Sequence, residues 1–123
     1  MKAEELRIGN LIQIKENFEF RIECIIGIYF HQVLTSGSQE ILLTYDKILP
    51  IPLTEEWCEK LGFIKNKTFT GVEFQYKNFI VYDNGICVED THRHFFKLSE
   101  IKYVHQLQNL FFALTGKEIG YEK

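Results

Sequence analysis

The sequence is poor in the residues that cross-link a chain or anchor it in a membrane. It has only three cysteines, Cys24, Cys58 and Cys87, which lie far apart and form no Cys-x-x-Cys pair. This argues against a disulfide framework and a structural zinc site. No stretch approaches the roughly 20 apolar residues of a membrane span, and the start, MKAEELRIGN, lacks the apolar region of a signal peptide. We therefore expect a cytoplasmic protein without a membrane partner.

The sequence also lacks an excess of positive charge. Its formal net charge is -3, and acidic and basic residues alternate along the chain. Proteins that bind polyanions generally carry a basic stripe, so generic nucleic-acid binding is not favoured, although a local basic patch remains open. What the chain does have is apolar surface, with 46% hydrophobic residues and eleven phenylalanines. That content and the length predict a single folded domain over 1–123.

The first half, 1–52, is predicted to be rich in β-strands. β-branched and aromatic residues dominate four runs, at 6–15, 18–29, 30–34 and 41–45. Pro50 and Pro52 then end the sheet, because proline cannot donate a ladder hydrogen bond. We predict a strongly bent antiparallel sheet in an α+β fold, of the SH3-like barrel kind.

The second half, 53–123, is predicted to contain a short helix, antiparallel hairpins and a C-terminal helix. Thr54 is a suitable N-cap for the short helix and Gly62 a suitable end, with Trp57 packed in the core. Strands are predicted at 68–76, 79–82 and 86–90. The turn Asp83-Asn84-Gly85 is the strongest hairpin signal in the chain.

The C-terminal helix is predicted to begin at a Ser99 N-cap and to end at Thr115-Gly116. Apolar residues cover most of its circumference, which indicates that it is deeply packed or shares its outer side with a partner. Gln108 lies inside this apolar arc, as a core-edge amide or as an interface contact. The apolar residues at helical spacing are Ile101, Val104, Leu107, Phe111 and Leu114.

One segment carries a candidate metal site. Asp90, His92 and His94 share one face of an extended strand, a spacing that a divalent metal can use. The commoner explanation of such short patterns is a solvated hairpin end, so no metal or cofactor is predicted. His31 and His105 are isolated and are expected to be hydrogen-bonded structural residues. No catalytic motif is present, and the chain is not expected to be an enzyme.

The same segment is a candidate interaction surface. Positive charge interleaved with aromatic rings can bind phosphates and stack bases. Asp90 and Glu100 interrupt the positive charge of this segment. The commoner explanation is an ordinary surface with the two phenylalanines partly in the core. The candidate surface consists of His92, Arg93, His94, Phe95, Phe96, Lys97 and Lys102.

Three blocks, at 2–10, 49–63 and 101–119, resemble a family of small uncharacterised proteins encoded by Bacteroidota and their prophages. The most specific block contains YVHQLQNLFFALTG. Cys58 stands where that family would have an aliphatic residue. The resemblance implies a mobile-element context and transfers no activity to any residue.

These observations lead to two main functional hypotheses, with a metal-dependent enzyme at Asp90, His92 and His94 ranked last. The first is a non-enzymatic phage or mobile-element protein that binds a host protein, in its concrete form an anti-CRISPR-type inhibitor of an effector nuclease or its ribonucleoprotein. The alternative is an accessory domain that binds RNA or single-stranded DNA. Homodimerisation is left open.

Overall fold

The computed structural model describes residues 1, 3–16, 18–37, 42–68, 71–76, 79–82, 85–89 and 95–119, which form an α+β fold, as predicted. The strands are β1 Leu11–Glu16, β2 Glu19–Ile28, β3 Gln32–Thr35, β4 Leu42–Thr44, β5 Ile48–Leu49, β6 Ile64–Thr68, β7 Gly71–Tyr76, β8 Phe79–Tyr82, β9 Gly85–Glu89 and β10 Phe95–Glu100. The α-helices are α1 Glu55–Lys60 and α2 Val104–Thr115, and short 3₁₀ turns occupy Ala3–Glu5 and Tyr45–Lys47. Neither α-helix of the described residues is long and apolar enough to cross a membrane.

The chain divides into two compact units. The first contains Met1–Pro52 and Tyr103–Glu118, and the second contains Leu53–Lys102 and Ile119–Lys123. The division after Pro52 coincides with the predicted end of the β-rich half. Helix α2, however, belongs to the first unit and not to the second half of the sequence.

The first unit is built on a curled antiparallel sheet. Its five strands follow the order β4-β3-β2-β1-β5, and the 3₁₀ turn Tyr45–Lys47 leads into β5. The sheet curls into a half-barrel, and the prediction of a bent N-terminal sheet is confirmed. Its core contains Leu6, Ile12, Ile14, Ile25, Val33 and Ile48.

A buried carboxylate fixes the corner between β2 and β3. Glu23 accepts hydrogen bonds from the Thr35 hydroxyl, from the Arg21 side chain and, at 3.1 Å, from the Gly37 backbone N–H. Burial acts to raise the pKa of Glu23, but these bonds outweigh it and hold the pKa below its ordinary value. A Cβ at Gly37 would come too close to the Glu23 carboxylate, so a larger residue there would require the Glu23 side chain to shift.

Helix α2 is fixed to β1 by one amide. The Gln108 side-chain oxygen accepts from the Leu11 N–H at 2.8 Å, and its nitrogen donates to the Gly9 carbonyl at 3.2 Å. The side chain is 3% exposed. Of the two alternatives for Gln108, the structure shows the core amide: it satisfies backbone groups where the chain turns into β1.

A second polar group joins the turn before β1 to the same helix. Asn10 is fully buried, accepts from the Arg7 N–H at 2.7 Å and donates to the Asn109 side chain at 2.7 Å. The Arg7 guanidinium pairs with Glu118 and lies 4.3 Å from the centre of the Phe112 ring. Because residues 7 to 10 form this turn, β1 begins at Leu11 and not at the predicted residue 6.

The second unit is built on another antiparallel sheet, in the order β10-β9-β8-β7-β6. The Thr54 hydroxyl accepts from the Trp57 N–H and caps α1, and Gly62 follows the helix at φ +92°. Trp57 is buried, as predicted. The predicted hairpin is confirmed by the pairing of Tyr82 with Gly85.

One prediction for the second half is wrong, and one strand there was missed. Ser99 is not a helix N-cap; it lies in β10, which pairs with β9, and α2 begins at Val104 after an N-cap at Tyr103. Pairing along a strand edge stabilises more backbone groups than one capping bond. Strand β6 was not predicted because Lys65, Asn66 and Lys67 give it little β-propensity; pairing with β7 supplies the strand.

The buried face of α2 also carries a histidine. His105 is 1% exposed, and its ring stacks on Tyr103 with 5.8 Å between centres. Neither ring nitrogen has a hydrogen-bond partner among the described residues, so the expectation of a hydrogen-bonded His105 is wrong. Burial lowers the pKa of His105, and the negative charge of Glu5 acts weakly in the opposite direction.

Replacing Gln108 with leucine should destabilise the protein by about 2–3 kcal/mol. The change leaves the Leu11 N–H and the Gly9 carbonyl without their side-chain partner, and each unsatisfied buried group costs about 1–3 kcal/mol. Gln106→Leu on the same helix is the matched control, because it removes a bond to the half-buried Tyr103 N–H and should cost about 1 kcal/mol. Urea unfolding measures both, and equal losses would contradict the role of Gln108.

Stability should fall as the pH decreases from 7 towards 5. With its folded pKa below the ordinary value of 6.5, His105 binds its proton more readily in the unfolded chain, so acidification below about pH 6.5 favours unfolding. Glu23 contributes only below its ordinary value of 4.5, outside this window. Denaturant unfolding across the range should show a flatter pH dependence for His105→Leu than for the unaltered chain. A slope that persists in His105→Leu would exclude His105 as the cause.

Candidate protein-interaction surface

The candidate surface predicted from the sequence is only partly described by the structure. His92, Arg93 and His94, together with Asp90 of the candidate metal set, lie outside the described residues. The remaining members are Phe95, Phe96 and Lys97 in β10 and the exposed Lys102 after it. The backbone of Phe95 and Phe96 pairs with Glu89 and Val88 of β9.

The described part of the chain contains two free cysteines and no cluster of metal-binding side chains. No group of three His, Cys, Asp or Glu side chains that could hold a metal occurs there. Burial raises the pKa of Cys58 to about 11 and also raises that of Cys24, with a further contribution from Glu118. Both thiols are therefore protonated at neutral pH, the form that is a poor nucleophile.

A different surface stands out by its exposed apolar side chains. Of the eleven large hydrophobic residues that are exposed in the described structure, six lie between residues 18 and 30. They follow β2 and its two flanking turns, so they belong to one strand of the first unit. We call this set the β2 patch: Phe18, Phe20, Ile22, Ile26, Tyr29 and Phe30.

The register of β1 and β2 explains why these side chains point outward. Residues directly opposite each other in an antiparallel pair share a face. The register partners are Ile12 with Glu23 and Ile14 with Arg21. Because Ile12 and Ile14 face the core, the charged residues of β2 take the core face and Phe20 and Ile22 take the outer one. The first half of β2 is thus inverted relative to an ordinary half-buried strand.

Helix α2 covers only one end of this outer face. Leu11 of β1 is buried and bonded to Gln108, whereas Lys15 at the other end of β1 is exposed and lies opposite Phe20. The Lys15 ammonium lies 5.9 Å from the centre of the Phe20 ring, within reach of a cation–π interaction.

The charges along the patch balance. Lys15 on the outer face and Glu19 at the start of β2 are both exposed and opposite in sign, and Arg21 pairs with Glu23 on the other face of the strand. A surface that binds a polyanion needs an excess of positive charge. The β2 patch therefore has the character of a protein-contact surface, apolar with a mixed rim.

Each end of the β2 patch places an aromatic ring in solvent. At one end Phe30 is 87% exposed and contacts the ring of His31, with 4.1 Å between centres. The neighbouring backbone is held by the Tyr45 hydroxyl, which donates to the Tyr29 carbonyl at 2.6 Å. At the other end Phe18, in the turn between β1 and β2, is 95% exposed.

Phe18 also has an unusual backbone conformation. Its φ is +69°, and it is the single non-glycine residue with a positive φ in the described part of the chain. Glu16 pairs with Glu19, which leaves a two-residue connection, where glycine or asparagine is the usual choice at positive φ. A bulky side chain there raises the energy of the free protein.

Sequence reasoning placed residues 18–29 in a strand but missed the patch. The alternation of apolar and charged residues in FEFRIE predicts a strand with two different faces. The obvious assumption is that the apolar face is inside. The register that reverses this assignment depends on β1, so no local signal in β2 reveals it.

Phe18→Gly should stabilise the free protein by about 0.5–1 kcal/mol. Relief of the left-handed conformation, about 1–2 kcal/mol for a residue with a Cβ, exceeds the entropic cost of glycine. The control is Phe30→Gly, which removes a similarly exposed ring without a positive φ and should be neutral or destabilising by up to about 1 kcal/mol. Thermal unfolding of both variants measures the difference in stability. An equal loss of stability in the two variants would argue against strain at Phe18.

In comparisons with known proteins, no protein-family model, no curated protein and no solved structure matches the chain.

Proposed function

We propose that this chain is a non-enzymatic protein-binding module whose contact surface is the β2 patch. The observation that carries the proposal is the inversion of β2, which puts Phe20 and Ile22 on the outer face and Glu23 inside. Burying a carboxylate requires compensating hydrogen bonds, and exposing aromatic rings forgoes the stabilisation of burial. A sequence that keeps both features departs from what stability alone favours, as functional surfaces do.

The composition of the patch supports a protein partner. Aromatic side chains are enriched among the residues that contribute most to protein–protein binding. The β2 patch supplies three phenylalanines and one tyrosine, together with two isoleucines. The balanced charge of its rim offers no excess of cations for a phosphate backbone.

The narrower form of the proposal names the partner. The resemblance to proteins of Bacteroidota prophages supports a host protein as the target, and within that class a CRISPR effector nuclease or its ribonucleoprotein. This step depends on the resemblance alone, whereas the general proposal depends on the β2 patch.

The test is a tagged pulldown from a host that expresses its defence systems, under native and crosslinked conditions, with bound protein and nucleic acid both identified. The unaltered chain should retain a protein partner, and Phe20→Ser combined with Ile22→Ser should lose it. Both side chains are exposed, so the double variant should remain folded. Ile64→Ser is the matched control: it removes an exposed apolar side chain from the second unit and should leave binding unchanged.

Three results would count against the proposal. One is the absence of a stable protein partner in both conditions. Another is a partner that the double variant retains. The third is recovery of RNA or DNA without protein, which would favour the alternative of a nucleic-acid-binding domain. In that case Arg93→Ala combined with Lys97→Ala should weaken nucleic-acid binding, and added salt should weaken it further.

A further inference from the structure

We infer that the turn between β1 and β2 is an insertion anchor: Phe18 enters an apolar pocket of the protein partner, and that pocket is bordered by lysine or arginine side chains. The inference builds on the proposed function and identifies which end of the β2 patch supplies the anchor and what chemistry receives it.

Phe18 combines an exposed ring with an unfavourable backbone conformation. A ring that is 95% exposed gains nothing from packing within the chain, and a φ of +69° is unfavourable for any residue with a Cβ. Glycine would relieve the backbone at no loss of contact. Backbone strain of this kind is concentrated at binding and active sites, where a partner or substrate uses the strained residue.

The hairpin of β1 and β2 extends beyond its last core residue. The last register pair that contains a core residue is Ile14 with Arg21, and two further pairs extend the hairpin to Glu16 and Glu19. Two residues of strand correspond to about 7 Å. The exposed Lys15 and Phe20 lie on this extension, so Phe18 stands beyond the packed body of the first unit. A projecting ring of this kind can enter a concave site.

Acidic residues lie on either side of the turn that contains Phe18. Two acidic residues, Glu16 and Glu19, flank the turn, and their backbones pair. Lys15 compensates one of the two negative charges, so this end of the hairpin keeps an excess of negative charge. A partner with cations around its pocket would be attracted to this charge. Phosphate groups of nucleic acids and of anionic lipids would instead be repelled, so a protein pocket is the occupant that fits.

The experiment begins with the full chain carrying a photo-crosslinking benzoylphenylalanine at position 18, produced in host cells. The adduct should be a host protein, and the crosslinked peptide should map to an apolar cavity with lysine or arginine at its edge. The same probe at Ile64, an exposed residue of the second unit, is the control and should give no such adduct.

The test is completed by measuring dissociation constants between variants of this chain and the purified host protein that the crosslink identifies. Phe18→Gly should raise Kd at least tenfold although the free variant is more stable, and Phe18→Leu should retain most of the affinity. Glu19→Lys should raise Kd by a similar factor, and the loss should shrink at high salt. Opposite effects of Phe18→Gly on stability and on binding are the signature of an anchor, because a residue with only a turn-forming role would change stability alone.

Several outcomes would overturn the inference. They are a Kd for Phe18→Gly within twofold of the unaltered chain, a crosslinked site without basic residues, and an adduct to nucleic acid, lipid or a second copy of this chain. If the adduct forms at position 20 and not at 18, the inference fails and the proposed function stands. If no position of the β2 patch gives a protein adduct, both fail.

Discussion

The register between β1 and β2 is the constraint on which the rest of the first unit depends. Pairing Ile12 with Glu23 decides which side of each strand faces the core. A shift by one residue would set Ile12 opposite Ile22 or Cys24, so that Phe20 and Ile22 would lie on the same face as the isoleucines of β1 and Glu23 on the opposite face. The observed register is stabilised from both faces: the core holds the isoleucines of β1 on one side, and Gln108 bonds the Leu11 backbone on the other.

The buried polar groups of the first unit follow from that register. Glu23 lies on the core face and is tolerated because three donors reach its carboxylate. At the entry to β1, Ile25 of β2 bonds the Gly9 N–H and the Asn10 carbonyl. The Asn10 and Gln108 side chains bond the Arg7 and Leu11 N–H groups there. These bonds specify one arrangement of strand and helix, because a slip would leave each of them unpaired in the interior.

The β2 patch is what this arrangement leaves open. Phe20 and Ile22 are absent from the core because the register excludes them, and the two ends of the patch present Phe18 and Phe30 almost fully to solvent. A protein selected for stability alone would carry polar residues on this face and a glycine at position 18. The difference between that sequence and the observed one is the physical basis of the proposed binding function.

The sequence by itself determined the features that depend on a few neighbouring residues. Thr54 caps α1, and Gly62 and Gly116 follow the two helices at positive φ, because capping bonds and positive φ are local requirements. The hairpin of β8 and β9 also follows a local turn signal in the sequence. Tertiary structure alone decided the rest. Ser99 became part of a strand because β9 offered a pairing edge, and the apolar face of β2 turned outward because β1 set its register. Both outcomes depend on residues distant in sequence, whose pairing energy outweighs local propensity.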